Sequence, residues 1–440
     1  MRLHKKALLV LGAGSDQCFM IQTAQQMGYY VVAVDANPLA PGLAKADCAR
    51  AIDFSDLSGV IDYCQKLLDE GIKLSGVSTM GSDIPHILAA IAKHFGWPGP
   101  TEETGYWATH KLAMKQRFEK MGIPIPPYAQ VESEADVMAK WREWGCDKLI
   151  IKPTDRAGSR GVRIIRQEEE VRAALAHAKS FSLNGEILLE EFIDGPQIST
   201  ESIIVGEQAA TPGFADRVYE GMECFWPNIM ENGGWLPTRH RQADQAEISA
   251  LAERAARALG IERGVAKGDI VVCPTRGAMV IEMAARLSGG DFSASLVPLS
   301  CGINYVKTVI NIALDNPVDL STLTPQHELW VANRYFFLPP GQLEAIEGLE
   351  WLETQPFCQK LEFYPSIGTQ LPPILSHANR SGVFVLTANT LPQLEQQIEA
   401  VYNQVRFKIE SNWFSGRPTS MQETSRSHLC LGEKGQSNDQ

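Results

Sequence analysis

Glu282 lies in an apolar run, Val280-Ile281-Glu282-Met283, and Arg286 follows four residues later, just ahead of Gly289-Gly290. In a strand, side chains alternate between faces, so Glu282 shares a face with Val280, and Ala284 and Arg286 continue it. A carboxylate and a guanidinium then point into one cavity. Gly268-Asp269-Ile270-Val271-Val272 reads as a second strand, with Cys273 to Ala278 as the turn between the two. Paired as a hairpin, the strands bring Asp269 beside Glu282. Neighbouring carboxylates raise each other's pKa unless positive charge sits between them. A hard divalent cation that also holds phosphate oxygens meets that need. A buried ion pair between Glu282 and Arg286 accounts for the same stretch, and the stretch alone leaves both readings open.

Leu149-Ile150-Ile151-Lys152-Pro153 reads as a strand with a lysine at its end, followed by a loop through Gly158 and Gly161 and a short strand to Ile165. Such a loop aims backbone N–H groups at phosphate oxygens, and the lysine adds a point charge. A plain hairpin is the other reading; Lys152, Arg156 and Arg160 weigh toward phosphate. Ile187-Leu188-Leu189 runs into Glu190-Glu191-Phe192-Ile193, a strand edge whose unpaired backbone groups suit an adenine ring. Glu201 lies inside a further strand, Ile198 to Val205. Phe225 to Arg241, rich in Trp, Pro, Gly and Asn, reads as a lid over a site or as an exposed connector.

The elements around these residues follow from pattern. Ala7–Leu11, a helix from Cys18, and Tyr30–Val34 ending in Asp35 form a βαβ opening. Gly12 and Gly14 begin a dinucleotide fingerprint, but Gln17 stands where its third glycine belongs. The turn therefore serves either a cofactor or only the chain reversal. Leu74 to Thr79 is a strand that runs into Met80-Gly81-Ser82-Asp83, the end at which open α/β sheets bind ligands. Trp97-Pro98-Gly99-Pro100 breaks the pattern. Thr104 to Met121 has helical spacing, with Lys111 and Lys115 one turn apart, and Ala246 to Leu259 is a helix.

The chain's 440 residues, 44% hydrophobic and 21% charged, describe a globular protein of about three domains. A net charge of -12 argues against nucleic acid or an anionic membrane as a partner. No apolar run is long enough to span a bilayer, and no signal-peptide pattern follows Met1. Nine scattered cysteines without a C-x-x-C pair fit reduced thiols in a cytoplasm.

Thr109-His110-Lys111, Ile151-Lys152-Pro153, the Asp155–Val162 loop, Glu190-Glu191-Phe192-Ile193, Asp269, and Glu282 with Arg286 come in an order that resembles the ATP-grasp superfamily of carboxylate–amine ligases. The resemblance implies a mixed α/β and α+β fold. A parallel pre-ATP-grasp domain would occupy residues 1–100 and a two-lobed ATP-grasp domain residues 101–315. It implies ATP and Mg²⁺, with Mn²⁺ as a substitute. By that resemblance Lys111 and Lys152 hold phosphates, and the loop at Gly158 and Gly161 closes over them. Glu190 and the backbone of Glu191 and Ile193 grip adenine, and Glu201 lies near the nucleotide. Asp269 and Glu282 bind the metal, and Arg286 steadies an acyl phosphate. Two departures stand out: Asp269 is often Glu in the family, and Ala284 occupies a place usually held by Asn.

Gln342 to Leu349, Tyr364-Pro365-Ser366-Ile367-Gly368, Arg380 to Leu386 and the helix Leu391–Val405 resemble the C-terminal domain of bacterial L-amino-acid (dipeptide) ligases, placed at 316–410. The polar stretch 411–440 reads as a disordered tail. The activity implied is ADP-forming amide synthesis between a small carboxylate, an amino acid, and an amine. The alternative is activation of bicarbonate or a small metabolite in a purine- or carbamoyl-phosphate-like pathway. The resemblance is also compatible with a homodimer.

Overall fold

Runs of Val, Leu and Ala with no polar interruption fold into strands buried on both faces, and the N-terminal region is built this way. In the computed structural model, which describes residues 5–418, β1 (Lys6–Leu11), β2 (Tyr30–Asp35), β3 (Cys48–Ala51) and β4 (Lys73–Thr79) form a parallel sheet in the order β3-β2-β1-β4. Ala7 to Leu11 have no exposed surface, as expected for a parallel sheet covered by helices on both sides. Those helices are Ser15–Gln26, Leu57–Asp69 and Pro85–Phe95. Asp56 caps the second by accepting the Gly59 N–H.

A second, small sheet pairs β5 (Tyr128–Val131), β6 (Leu149–Pro153), β7 (Arg163–Ile165) and β8 (Ile187–Glu191) in the order β5-β8-β6-β7. Alternate residues of its strands pack on the helix Val171–Phe181.

The large sheet collects β9 (Gln197–Val205), β10 (Gln208–Arg217), β11 (Gly234–Leu236), β12 (Arg263–Cys273), β13 (Gly277–Ala284) and β14 (Trp330–Phe336), with two later strands. After β15 (Gly341–Glu347) come β16 (Cys358–Phe363), β17 (Gln370–Leu371), β18 (Gly382–Ala388), β19 (Arg406–Ile409) and β20 (Asn412–Phe414). The eight-stranded order is β13-β12-β9-β10-β11-β14-β18-β16, and β17-β15-β19-β20 form the fourth sheet.

Several expectations change here. The helix read over Thr104–Met121 is two helices, Glu102–Thr109 and Lys111–Lys120. His110 breaks it in extended backbone, and its ring accepts the Ala113 N–H as a cap. Phe225–Arg241 is neither a loop throughout nor an exposed connector. Its Gly234–Leu236 is β11, a central strand, and Phe225, Met230 and Trp235 are buried. β11 pairs with β14, so the large sheet runs without a break across the boundary expected at 315–316. The tail expected to be disordered from 411 begins as β20, paired with β19; residues 419–440 lie outside the described residues. Among the described residues no helix is long and apolar enough to cross a membrane.

Candidate active site

The break at His110 sets the lysine wall of the site. It puts Lys111 at the head of a helix, where its N–H bonds the carbonyl of Thr154 and its ammonium reaches the Arg156 carbonyl at 2.6 Å. Lys115 is one turn on and therefore on the same face. Lys152 comes from the end of β6, beside β8. The three ammonium groups meet two carboxylates. Lys111 pairs with Glu282 at 2.9 Å. Lys115 and Lys152 pair with Glu190 at 2.9 and 2.5 Å. Burial penalises the Glu190 charge, but Lys115 and Lys152 outweigh it, so its pKa falls. Glu282 behaves likewise: burial opposes ionisation, and Lys111 and Lys152 hold its pKa down at about 2. Burial lowers the Lys115 pKa despite Glu190.

The β12–β13 hairpin places Asp269 directly opposite Glu282, beside a register shift, as its sequence pattern predicts. The partners differ from both readings of that stretch. Glu282 bonds Lys111, not Arg286. Arg286 turns to Asp83, with its Nε 2.8 Å from Oδ1, and Asp83 comes from the loop after β4. Gly81 makes this junction. Its N–H bonds the Leu287 carbonyl at 3.0 Å, and a Cβ on Gly289 would stand 2.8 Å from the Gly81 Cα. Only glycine permits so close an approach.

Asp269 is enclosed by Arg217 at 2.7 Å, the Ser199 hydroxyl at 3.0 Å and Lys267. Burial raises its pKa, but Arg217 and Lys267 outweigh that and hold it well below the carboxylate range. Arg217 also pairs with Glu231, which Arg380 approaches at 3.8 Å. Arg380 lies over the Tyr335 ring at 3.8 Å. Glu231 is held at about 2 by these arginines against burial.

Apart from the fully buried Lys115, the charged groups named here line one cavity of about 800 Å³ between the small sheet, the large sheet and the 81–84 loop. The Asp155–Val162 loop lines it as well. Gly158 and Gly161 both have positive φ, +66° and +75°. A Cβ on Gly161 would meet Phe181 and Pro153 at 2.8 Å, while Gly158 has open space around it.

Of the residues expected at the site, Lys111, Lys152, Gly158, Glu190, Glu191, Ile193, Asp269, Glu282 and Arg286 line the cavity. Two do not act as expected. The resemblance sets Glu190 against adenine, whereas in the structure its carboxylate pairs with two lysines. Glu201 was placed near the nucleotide, but it has no exposed surface and lies beneath the cavity floor. It accepts the Ser288 N–H at 2.6 Å, the Ser293 hydroxyl at 2.7 Å and the Tyr305 hydroxyl. Burial raises its pKa. Its role is to fix the backbone that follows Arg286. The Glu191 side chain points away to a bidentate pair with Arg276, at 2.7 and 2.6 Å.

The spacing of Lys115 from Lys111 is the one sequence signal for that residue. Arg217 and His377 carried none, while Asp83, Glu231 and Arg380 lay in stretches the sequence singles out but not as individual residues, because each comes from an element unrelated to the motif. The N-terminal turn serves the scaffold. Asp35 accepts the Ala13 N–H at 2.7 Å, and the buried Gln17 side chain fills the turn and bonds the Met80 carbonyl.

Asp269 and Glu282 offer hard oxygen donors from opposed positions, which fits magnesium. Among the described residues no group of three or more His, Cys, Asp or Glu is arranged to hold a metal ion. With Ala284 in place of an amide, Asp269 and Glu282 would supply a minority of a magnesium ion's ligands. Magnesium readily completes its shell with water and phosphate oxygens.

Residues 108–290 match the ATP-grasp domain, so the chain carries an ATP-grasp domain, the unit of a class of ATP-dependent ligases. Residues 334–410 match the L-amino acid ligase C-terminal domain 2, so its particular form is an ATP-grasp core followed by that unit. The solved L-amino acid ligase from Bacillus licheniformis superposes with a TM-score of 0.78 at 19% identity, over 92% of this chain and 99% of that one. A D-alanine--D-alanine ligase from Desulforudis audaxviator is 30% identical over 171 residues, 38% of this chain and 54% of the relative. A formate-dependent phosphoribosylglycinamide formyltransferase from Saccharolobus solfataricus is 23% identical over 404 residues, 89% of this chain and 95% of the relative.

Proposed function

We propose that this enzyme joins a small carboxylate, that of an amino acid, to the amine of a second molecule. ATP would be consumed to ADP and phosphate through an acyl phosphate. The observation that carries the reading is the convergence of Lys111, Lys115 and Lys152 on Glu190 and Glu282, with both carboxylates, Lys111, Lys152, Arg286 and Arg217 lining one cavity.

Phosphoryl transfer asks a protein chiefly to position reactants and neutralise spreading charge. Lys111, Lys152 and Lys115 are ammonium groups held in low dielectric by carboxylates. Lys111 and Lys152, which line the cavity, turn from those carboxylates to phosphate oxygens, because a flexible ammonium exchanges partners more freely than a planar guanidinium. The Asp155–Val162 loop covers the phosphates and excludes water, which would otherwise hydrolyse an acyl phosphate. The backbone of Glu191 and Ile193 takes the adenine. Asp269 and Glu282 hold magnesium (manganese as a substitute), which when bound neutralises phosphoryl oxygens. Arg286, braced by Asp83, steadies the transferred phosphoryl group as it reaches the carboxylate.

The match to the L-amino acid ligase C-terminal domain 2 supports an amino acid as substrate. A second reading activates bicarbonate or a small metabolite, and the formyltransferase relative over 95% of its length favours it. Release of ADP and phosphate with Mg-ATP, measured against amino acids singly and in pairs and against bicarbonate, decides between them. Turnover only with particular pairs, together with a condensed mass, is the expected result. Stimulation by bicarbonate alone would favour the second reading. AMP and pyrophosphate as products would overturn the acyl-phosphate route.

A further inference from the structure

The glycine loop over the lysine end makes contacts that the small sheet does not account for. The carbonyl of Gly158 accepts the N–H of His377 at 3.3 Å, and the Ser159 hydroxyl is 3.2 Å from His377 Nε2. The same Nε2 accepts the backbone N–H of Glu231 at 3.4 Å. Since that N–H can only donate, Nε2 is an acceptor, and the Ser159 hydroxyl donates to it as well. His377 sits in the short turn His377–Asn379, between β17 and β18, where Ser376 caps the turn. It thus belongs to the C-terminal region, 218 residues from Ser159. Three residues on, Arg380 donates to the Glu231 carbonyl at 2.5 Å.

We propose that His377 is a positioning residue that latches the Asp155–Val162 loop to Glu231, so that the C-terminal region sets the loop over the nucleotide end of the cavity. The proposal rests on the ATP-dependent reading above. One ring nitrogen joins three parts of the chain: the loop that would cover phosphates, the segment that leads into β11, and the C-terminal turn. Glu231 is itself tied through Arg217 to Asp269. Asp269 is thus joined to the loop through ion pairs and hydrogen bonds by way of Arg217, Glu231 and His377. Neutral imidazole suits the role, and burial together with Arg380 holds the His377 pKa down at about 3. The ring presents an acceptor throughout the physiological range.

Arg156 and Arg160 place two trypsin sites in the loop, so its opening is readable in the full-length protein without any ligand. His377→Phe keeps the ring shape and removes the acceptor, whereas His377→Gln restores an oxygen acceptor at similar reach. Loop cleavage in the ligand-free protein is expected to rise about tenfold in His377→Phe and to return to near the parent rate in His377→Gln. The KM for ATP is expected to rise about tenfold in His377→Phe, with a smaller change in kcat. Ser159→Ala removes the contact from the other side. Combined with His377→Phe it should add little, since both changes break the same bond. If His377→Phe fails to fold, Ser159→Ala against the parent carries the comparison.

Unchanged loop cleavage in both single variants overturns the latch, as does full additivity of the two. Raised cleavage with unaltered kinetic constants overturns the positioning role. A parent enzyme that consumes no ATP with any substrate pair would sink the proposed function instead. Cleavage of the ligand-free protein would still decide whether His377 holds the loop.

Discussion

At the lysine end of the cavity, one buried carboxylate, Glu190, faces two ammonium groups; at the arginine end, Arg217 bridges two carboxylates, Asp269 and Glu231. Both ends take charge out of water and keep it paired, as burial requires. They differ in what can be exchanged. Lysines are compact point charges on flexible stems, suited to leaving a carboxylate for a phosphate. Arginines are planar forks that fix the geometry of what they hold. The lysine end is thus a site that changes partners, and the arginine end a frame that keeps them. Glu282, its side chain about one-third exposed, opens to the cavity between them, whereas Asp269 is wrapped.

Stability separates the two ends most sharply. Glu190→Gln leaves Lys115 and Lys152 buried without their counter-charge. It is expected to cost about 3–5 kcal/mol, read by denaturant unfolding. Glu231→Gln should cost less, about 1–3 kcal/mol, because Asp269 still holds Arg217. Equal losses would mean that the arginine end is no better braced than the lysine end.

Turnover should follow the exchangeable end. Lys152→Met is expected to lower kcat by about 100- to 1,000-fold with whichever substrate pair supports turnover in the parent, as removal of one charge-stabilising donor does elsewhere. Glu282→Gln should fall at the low end of that range and keep a cooperative unfolding transition. A Glu282→Gln enzyme with parental turnover would remove that residue from the metal assignment.

Acidification tests both ends together. Glu282 and Glu231 have folded-state pKa values of about 2, below the ordinary glutamate value of 4.5. A depressed carboxylate stabilises the fold fully above its unfolded pKa, and that contribution is lost as pH falls through the folded value. The contribution of these two groups should therefore decline below about pH 4.5, most steeply near about pH 3, and level off below about pH 2. Glu231→Gln should flatten part of that decline in urea unfolding followed against pH. The smallest effect concerns position 284. Ala284→Asn adds one amide oxygen near Glu282 and should lower the magnesium concentration needed for half-maximal turnover about two- to fivefold. No change would place residue 284 away from the metal.

Much of the site was legible because its signals are local. Lys152 at a strand terminus, the glycines of its loop, and Asp269 opposite Glu282 follow from strand alternation and hairpin pairing over short spans. The structure bears out that register. The helix break at His110 was missed because helical spacing continues through it, and the cap that stops the first helix is a ring bonding the next turn. Glu201 was misjudged for a related reason. Alternation gives its face of the sheet, but only packing shows that Ser288, Ser293 and Tyr305 close over it.

What the sequence determined by itself is the class of fold and most of the charged residues that line the cavity. Apolar periodicity and turn chemistry act within a few residues and need no partner from elsewhere. What only the tertiary structure decided is which charges neutralise which. Arg286 meets Asp83 across 203 residues, Arg217 meets Asp269 across 52, and His377 meets Ser159 across 218. A buried charge must find its counterpart wherever the folded chain brings one within reach. Spacing along the sequence does not encode that distance.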